Sequence, residues 1–322
     1  MAARADELID RRRLRRKVTF WRVAAIMIAA AAIISVALWG TQGRFSGAAA
    51  SHIAKIKIDG TITEKDELLE RLDRVRESGA VKGVIISINS PGGTTAGGEA
   101  IFESVRRIAA EKPVVAQVGT LAASAGYMVA TAADHIVARK SSIVGSIGVL
   151  VQFPDVTALM DYIGVKMESV KSSPLKAEPS PFTPTTDEER TMISRMILDS
   201  YDWFIGLVDE RRPLDRAEVE RLADGSIFTG RQALERKLVD ELGGELEAKA
   251  WLTSKGVDEG LEIIEWKDRP TGVGALLLGS AAGALMEAFG LPANMRGLMG
   301  NSGADRIFLD GLLSVWQPET GT

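Results

Sequence analysis

Hydrophobic positions in this chain come first as one long block and afterwards as short runs interrupted by polar turns. Residues 23–39 are apolar at 16 of 17 positions, Ser35 being the exception, and Trp21 and Trp39 stand at the two ends. A block that is hydrophobic all round and flanked by aromatic residues reads as one transmembrane helix over 23–40. A linker rich in glycine and alanine follows over 41–51. From there the runs shorten and alternate. Residues 52–58 read as a strand ended by Asp59-Gly60, and Thr63 leads a helix through Leu68, Leu69, Leu72 and Val75. The sequence VIISI at 84–88 is β-branched and continuous, as a strand covered on both faces would be. Helix is then expected over 97–110, strand over 114–118, helix over 124–132, strand over 135–138 and helix over 154–163. Repeated strand and helix pairs with short connections predict an α/β fold with largely parallel strands.

The pattern then changes. Residues 171–186 hold four prolines and cannot form a long regular element. Thr186 with Glu189 spells a capping box that opens a helix whose apolar stripe begins at Met192, Met196 and Ile197, and Thr229 with Gln232 repeats that spacing before Ala233, Leu234 and Leu238. Residues 273–286 are apolar again but too few for a second span; packing against another subunit is the expected role, and a membrane-leaning or substrate-facing surface is the alternative. The organisation expected is a cytoplasmic tail at 1–22, the membrane helix, the linker, a catalytic domain at 52–250 and an extension at 251–322.

Charge adds an orientation. Residues 1–22 carry eight positive side chains against three acidic ones, while the whole chain of 322 residues has net charge −4, so the remainder is acidic by nine. A basic tail before a membrane helix stays in the cytoplasm, which places the rest of the chain outside it, on an anchor read as uncleaved, with a signal peptide processed at Ala48-Ala49-Ala50 as the alternative. Nucleic acid is not an expected partner, because an acidic body repels phosphates.

Composition narrows the chemistry further. The chain has no cysteine and two histidines, His52 and His135. Disulfides, cysteine nucleophiles and cysteine-ligated zinc are therefore excluded, and neither a metal nor a cofactor is expected. Chemistry concentrates in three stretches. Asn89-Ser90-Pro91-Gly92-Gly93 follows the VIISI strand, and its glycines allow a backbone amide to approach a ligand closely. Ser124 lies among small residues in the sequence from Gly119 to Tyr127 and stands at the expected start of a helix, where backbone amides converge. A helix cap is the plainer role for that serine. The GxSxG elbow of many hydrolases is not present around it. The proline-rich stretch carries Lys171 and Lys176. His52 abuts the linker and His135 begins an edge-like strand, so a lysine made neutral by burial is the remaining base for a serine nucleophile. Ser173 and Lys176 also match an SxxK spacing, but the prolines around them oppose a helix.

With these motifs in order, the chain resembles the signal peptide peptidase A family of Ser/Lys membrane proteases, in its short single-domain form. The resemblance runs from about residue 53 to 243, through NSPGG at 89–93, AASAGYMVATAAD at 122–134, GSIGV at 145–149 and KSSPLKAEPSPFTPTTDEER at 171–190. It implies a superhelix of strand-turn-helix units like that of Clp proteases and crotonases. It implies Ser124 as nucleophile, Lys176 as general base, Ser146 as the residue orienting that lysine, and the backbone N–H groups of Gly93 and Ala125 as oxyanion hole. The implied substrates are cleaved signal peptides in a bacterial inner membrane, cut by a homo-oligomeric ring whose catalytic domain is periplasmic or otherwise extracytoplasmic. A noncatalytic membrane scaffold and a crotonase-like acyl-CoA enzyme are the alternative functions.

Overall fold

The computed structural model describes residues 50–267, positions 21, 22 and 27, and a strand at 313–315. The chain divides into two units, Met1–His52 and Ile53–Thr322. Within the first unit Trp21, Arg22 and Met27 are helical, and His52 Nδ1 lies 2.8 Å from the carbonyl oxygen of Ala50. Met27 apart, the expected membrane segment lies outside the described residues, as does the apolar run 273–286. Among the described residues, no helix is long and apolar enough to cross a membrane.

The second unit is an α/β fold built on a mixed, mainly parallel sheet. Its elements run β1 (His52–Asp59), α1 (Asp66–Glu77), β2 (Val81–Ser90), β3 (Gly92–Thr94), α2 (Thr95–Ala109), β4 (Val114–Ala123), α3 (Ala125–Thr131), β5 (His135–Ala138) and β6 (Ile143–Gly145). There follow α4 (Thr157–Ile163), α5 (Asp187–Arg211), α6 (Arg216–Leu222), β7 (Ile227–Thr229), α7 (Gly230–Glu235), β8 (Glu241–Leu242), α8 (Glu245–Ser254), β9 (Ile263–Glu265) and β10 (Leu313–Val315). The main sheet has the order β7-β6-β4-β2-β1-β9, with β5 and β8 branching from β4. β4 runs parallel to β2, β5 and β6, and only β7 is antiparallel to its neighbour β6. β9 pairs in parallel with β1, Ile53 opposite Ile263, so the sheet continues past residue 250.

Alternation of side chains explains why the strand sequences are apolar throughout. Ile85, Val115 and Val137 face one side, where Ala248 and Leu252 of α8 and Val257 cover them. Val84, Ile86, Ile88, Val114, Ala116 and Ile136 face the other, under the remaining helices. Successive Cβ atoms point to opposite faces, so a strand covered on both needs an unbroken apolar run. Each such Ile or Val stabilises the fold by about 1.5–3 kcal/mol through removal of its side chain from water. α3 is buried at all of its positions, which its small and apolar sequence AGYMVAT permits.

Local signals were reliable where the interactions are local. Thr186 and Glu189 form the expected capping box, as do Thr229 and Gln232. Elsewhere tertiary contacts shifted the boundaries. α1 begins at Asp66, not Thr63, because Ile62 is held in a bridge with Gly93: Ile62 N–H donates to Gly92 O at 2.8 Å and Ile62 O accepts from Thr94 N–H at 2.9 Å. β4 extends to Ala123 because its second half finds β6 as a partner. β5 is no edge strand, since it pairs with β4 and β8. In α5 the buried apolar residues Phe204, Ile205 and Val208 lie in the C-terminal half, whereas Met196 is 43 % exposed.

Candidate active site

Three of the sequence motifs converge because the strands preceding them are neighbours in the sheet. Registers of Ser90 with Ala122 and of Ala123 with Gly145 align the C-terminal ends of β2, β4 and β6. The turn after β2 holds Gly93, the turn after β4 holds Ser124, and the turn after β6 holds Ser146. In parallel α/β sheets this is the edge where ligands bind, because the loops leaving the strands open a crevice there.

Ser124 is 1 % exposed and stands between β4 and α3 with φ 56° and ψ −121°. A non-glycine residue in this region stores about 1–3 kcal/mol of strain, which the surroundings must hold in place. They do so through the backbone: Ser124 N–H donates to Gly145 O at 2.8 Å, and its carbonyl accepts from Met128 N–H at 2.9 Å. The plainer role suggested by sequence is set aside, because the Ser124 side chain makes no capping hydrogen bond to α3. Ala125 opens that helix, where the first N–H groups have no partner within the helix. Ser146 likewise has positive φ, 52°, and its N–H donates to Ser226 O at 2.7 Å.

Gly93 is required by close backbone approach. A Cβ there would sit 1.8 Å from Ile62 O. Ser90, which sequence reasoning passed over, organises the same turn: it is fully buried, and its Oγ accepts from Gly92 N–H at 3.1 Å. Its carbonyl oxygen would lie 2.9 Å from a Cβ at position 126, so Gly126 lets α3 settle against β2. The signal for Ser90 was its place inside NSPGG, but nothing local distinguishes it from an ordinary turn serine.

Lys176 occupies a different environment. It is exposed, on a non-helical loop where its N–H donates to Ser173 O at 3.2 Å. The SxxK spacing is thus part of a turn and not a helical face. The loop is fastened by an ion pair between Lys171 and Glu178, whose side chain is 6 % exposed. The hydrogen bond from Lys171 holds the Glu178 carboxyl below its ordinary range.

The histidines are accounted for structurally. His135 stacks on Trp251 with ring centroids 5.0 Å apart, and its Nε2 lies 3.2 Å from Glu241 Oε2. It opens β5 at the end opposite the loop of Ser124, since it pairs with Val115 near the start of β4. Beneath the site, Tyr127 Oη donates to Leu238 O at 2.8 Å, and burial drives its phenol well above the ordinary range. Arg212 meets Asp240 with two hydrogen bonds of 2.7 and 2.9 Å. Burial works against the charge on Arg212, but the Asp240 hydrogen bond together with the electrostatic attraction of Tyr127 and Asp240 outweighs it and holds the guanidinium pKa up.

A buried serine between a strand and a helix, with paired turns beside it on a mainly parallel sheet, fits a Clp-protease-like α/β fold, and the Clp protease family model matches residues 51–144. The peptidase family S49 model matches residues 106–257. A Methanocaldococcus jannaschii protein named as a protease is 39% identical over 61% of this chain and 63% of its own length. An Enterococcus faecium protein named signal peptide peptidase SppA is 31% identical over 73% of this chain and 72% of its own. Protease 4 of Haemophilus influenzae is 33% identical over 77% of this chain but only 43% of its own length. The chain belongs to peptidase family S49 and is a serine protease of that family.

Proposed function

We propose that this chain is a membrane-anchored endopeptidase that degrades residual signal peptides through a Ser124/Lys176 dyad. The observation that carries the reading is the placement of Ser124: buried, held at φ 56° by backbone hydrogen bonds, and one residue past the register pair Ala123 and Gly145 that brings Ser146 beside it. Lys176 takes the proton from Ser124 Oγ, and the oxygen attacks the peptide carbonyl. The N–H groups of Gly93 and Ala125 receive the developing oxyanion, and the proton passes to the leaving amine. Water then hydrolyses the acyl-enzyme. Ser146 orients the lysine. The basic tail and the apolar block 23–40 support the anchor, with the catalytic unit on the extracytoplasmic side.

Lysine works as a base only when water is kept from it. Lys176 is exposed, and the same chain exposes Tyr162 at 89 %, Val170 at 105 % and Leu198 at 60 %. A second copy covering this apolar surface would desolvate the lysine, so Lys176 is proposed to act in trans within a homo-oligomeric ring. A serine-directed fluorophosphonate should label the wild type and not Ser124→Ala. Ser124→Ala and Lys176→Ala, each inactive alone, should recover peptidase activity when coassembled. Failure to recover any would remove the trans arrangement, and a wild type inert to the probe would remove the protease mechanism and favour a scaffold.

A further inference from the structure

The two amides assigned to the oxyanion arrive on different strands: Gly93 lies just past the end of β2, and Ala125 just past the end of β4. One oxygen has to sit about 2.7–3.1 Å from both, so their spacing must be held to a fraction of an ångström. β3 is held along its two edges, by Ile62 on one and by β10 on the other, where Ser314 lies opposite Gly93. Its distance from α3 is a separate matter, and there Ser90 stands between them. The pairing of β2 with β4 shifts in register between Ile88 and Ser90: Ile88 lies opposite Val118, but Ser90 lies opposite Ala122 instead of Thr120. The shift carries Ser90 further along β4, beside the turn that holds Ser124.

We infer that Ser90 is the positioning residue that sets the spacing between the Gly93 and Ala125 amides. The inference deepens the acyl-transfer reading of this site and rests on it. Gly92 has φ 113°, and without a side chain its two torsions are soft. The Ser90 hydroxyl restrains the peptide planes on both sides of Gly92, accepting from Gly92 N–H at 3.1 Å and donating to Gly92 O at 3.3 Å. Gly92 O and Gly93 N–H belong to one rigid plane, so holding the oxygen aims the N–H. On its other side the Ser90 main chain seats α3: a Cβ at Gly126 would meet Ser90 O at 2.9 Å and Ser90 Cβ at 3.3 Å. Ala125, one residue earlier, is thereby registered against the same serine. Ser90 is fully buried, so loss of its hydroxyl leaves the buried Gly92 N–H without an acceptor and the Gly92 torsions free to relax.

Two variants of the full chain test it, Ser90→Ala and Ser90→Cys, the second keeping a weaker donor and acceptor at the same place. Against a short chromogenic peptide, Ser90→Ala should lower kcat on the order of 10²-fold with KM within about twofold of wild type, because a displaced donor is missed only in the transition state. Ser90→Cys should fall between the two. A peptide boronate, whose tetrahedral adduct with Ser124 places an oxygen where the oxyanion forms, supplies a readout that a merely structural role would not move. Its inhibition constant should rise across the three proteins by the same factor as kcat/KM falls. A kcat within threefold of wild type in Ser90→Ala, or boronate affinity that does not follow kcat/KM, would overturn the inference. Fluorophosphonate labelling separates the two levels: equal labelling rates in wild type and Ser90→Ala sink the role of Ser90 alone, whereas a wild type that takes neither fluorophosphonate nor boronate removes the acyl-transfer reading and this inference with it.

Discussion

The two halves of the proposed dyad are built in opposite ways. Ser124 is buried at the edge where β2, β4 and β6 end, and α3 follows it directly. Lys176 stands exposed on a loop fastened by the Lys171–Glu178 ion pair, in a part of the chain that leaves Tyr162, Val170 and Leu198 in water. The nucleophile half is a property of one chain's core. The base half has the surface of an element waiting for cover, and a lysine is the side chain whose chemistry depends most on that cover. Assembly would thus switch on the half that a single chain leaves unfinished, keeping a newly made, unassembled chain inactive.

Altering the close contact at Gly93 should damage the nucleophile half most. Gly93→Ala places a methyl 1.8 Å from Ile62 O, so the turn must move and carry its amide with it. Loss of one aligned oxyanion donor costs on the order of 10²–10³ in kcat, and overpacking costs about 1–3 kcal/mol of stability. Steady-state kinetics and thermal melting read the two effects separately, and wild-type kcat in this variant would show that Gly93 N–H is not used.

The frame beneath that half should answer differently. Asp240→Ala leaves the Arg212 side chain, 5 % exposed, without its carboxylate partner. Removing one member of a buried pair costs about 3 kcal/mol, measurable in denaturant unfolding. The folded protein should keep its kcat, because the pair supports α3 from below and touches no reacting atom.

The smallest effect belongs to the base half. Glu178→Gln releases the clamp on the Lys176 loop, and misplacement of a base lowers kcat on the order of tenfold while the melting temperature barely moves. The pH dependence has a definite sign. Because Lys171 holds the Glu178 carboxyl below 4.5, the clamp contributes fully above that value and is lost as pH falls through the depressed one. Limited proteolysis of residues 171–181 should therefore accelerate in acid for the wild type and show no such step for Glu178→Gln. Equal acid sensitivity in both would assign the step to another group.

Much of the fold was legible because its signals are short-ranged. The capping boxes at Thr186 and Thr229 depend on residues three apart, and the VIISI run depends on nothing but the two covered faces it requires. Misplaced boundaries have long-range causes. Thr63 looks like a helix start until Ile62 is seen to spend its backbone groups on β3. The stripe at Met192, Met196 and Ile197 looks like a core face, but among the described residues Met196 stays 43 % exposed.

The site divides along the same line. Sequence alone pointed to a lysine as the proposed base, since no cysteine is present and the two histidines stand elsewhere, and it determined which turns hold glycine, because no other residue allows such close backbone approach. The tertiary structure decided that turns after β2, β4 and β6 share one edge, that Ser124 is strained and not a cap, and that the chain's own residues 313–315 lie along Gly93. Those facts depend on strand register, and register is fixed by which apolar faces meet in the core, information no local window of sequence contains.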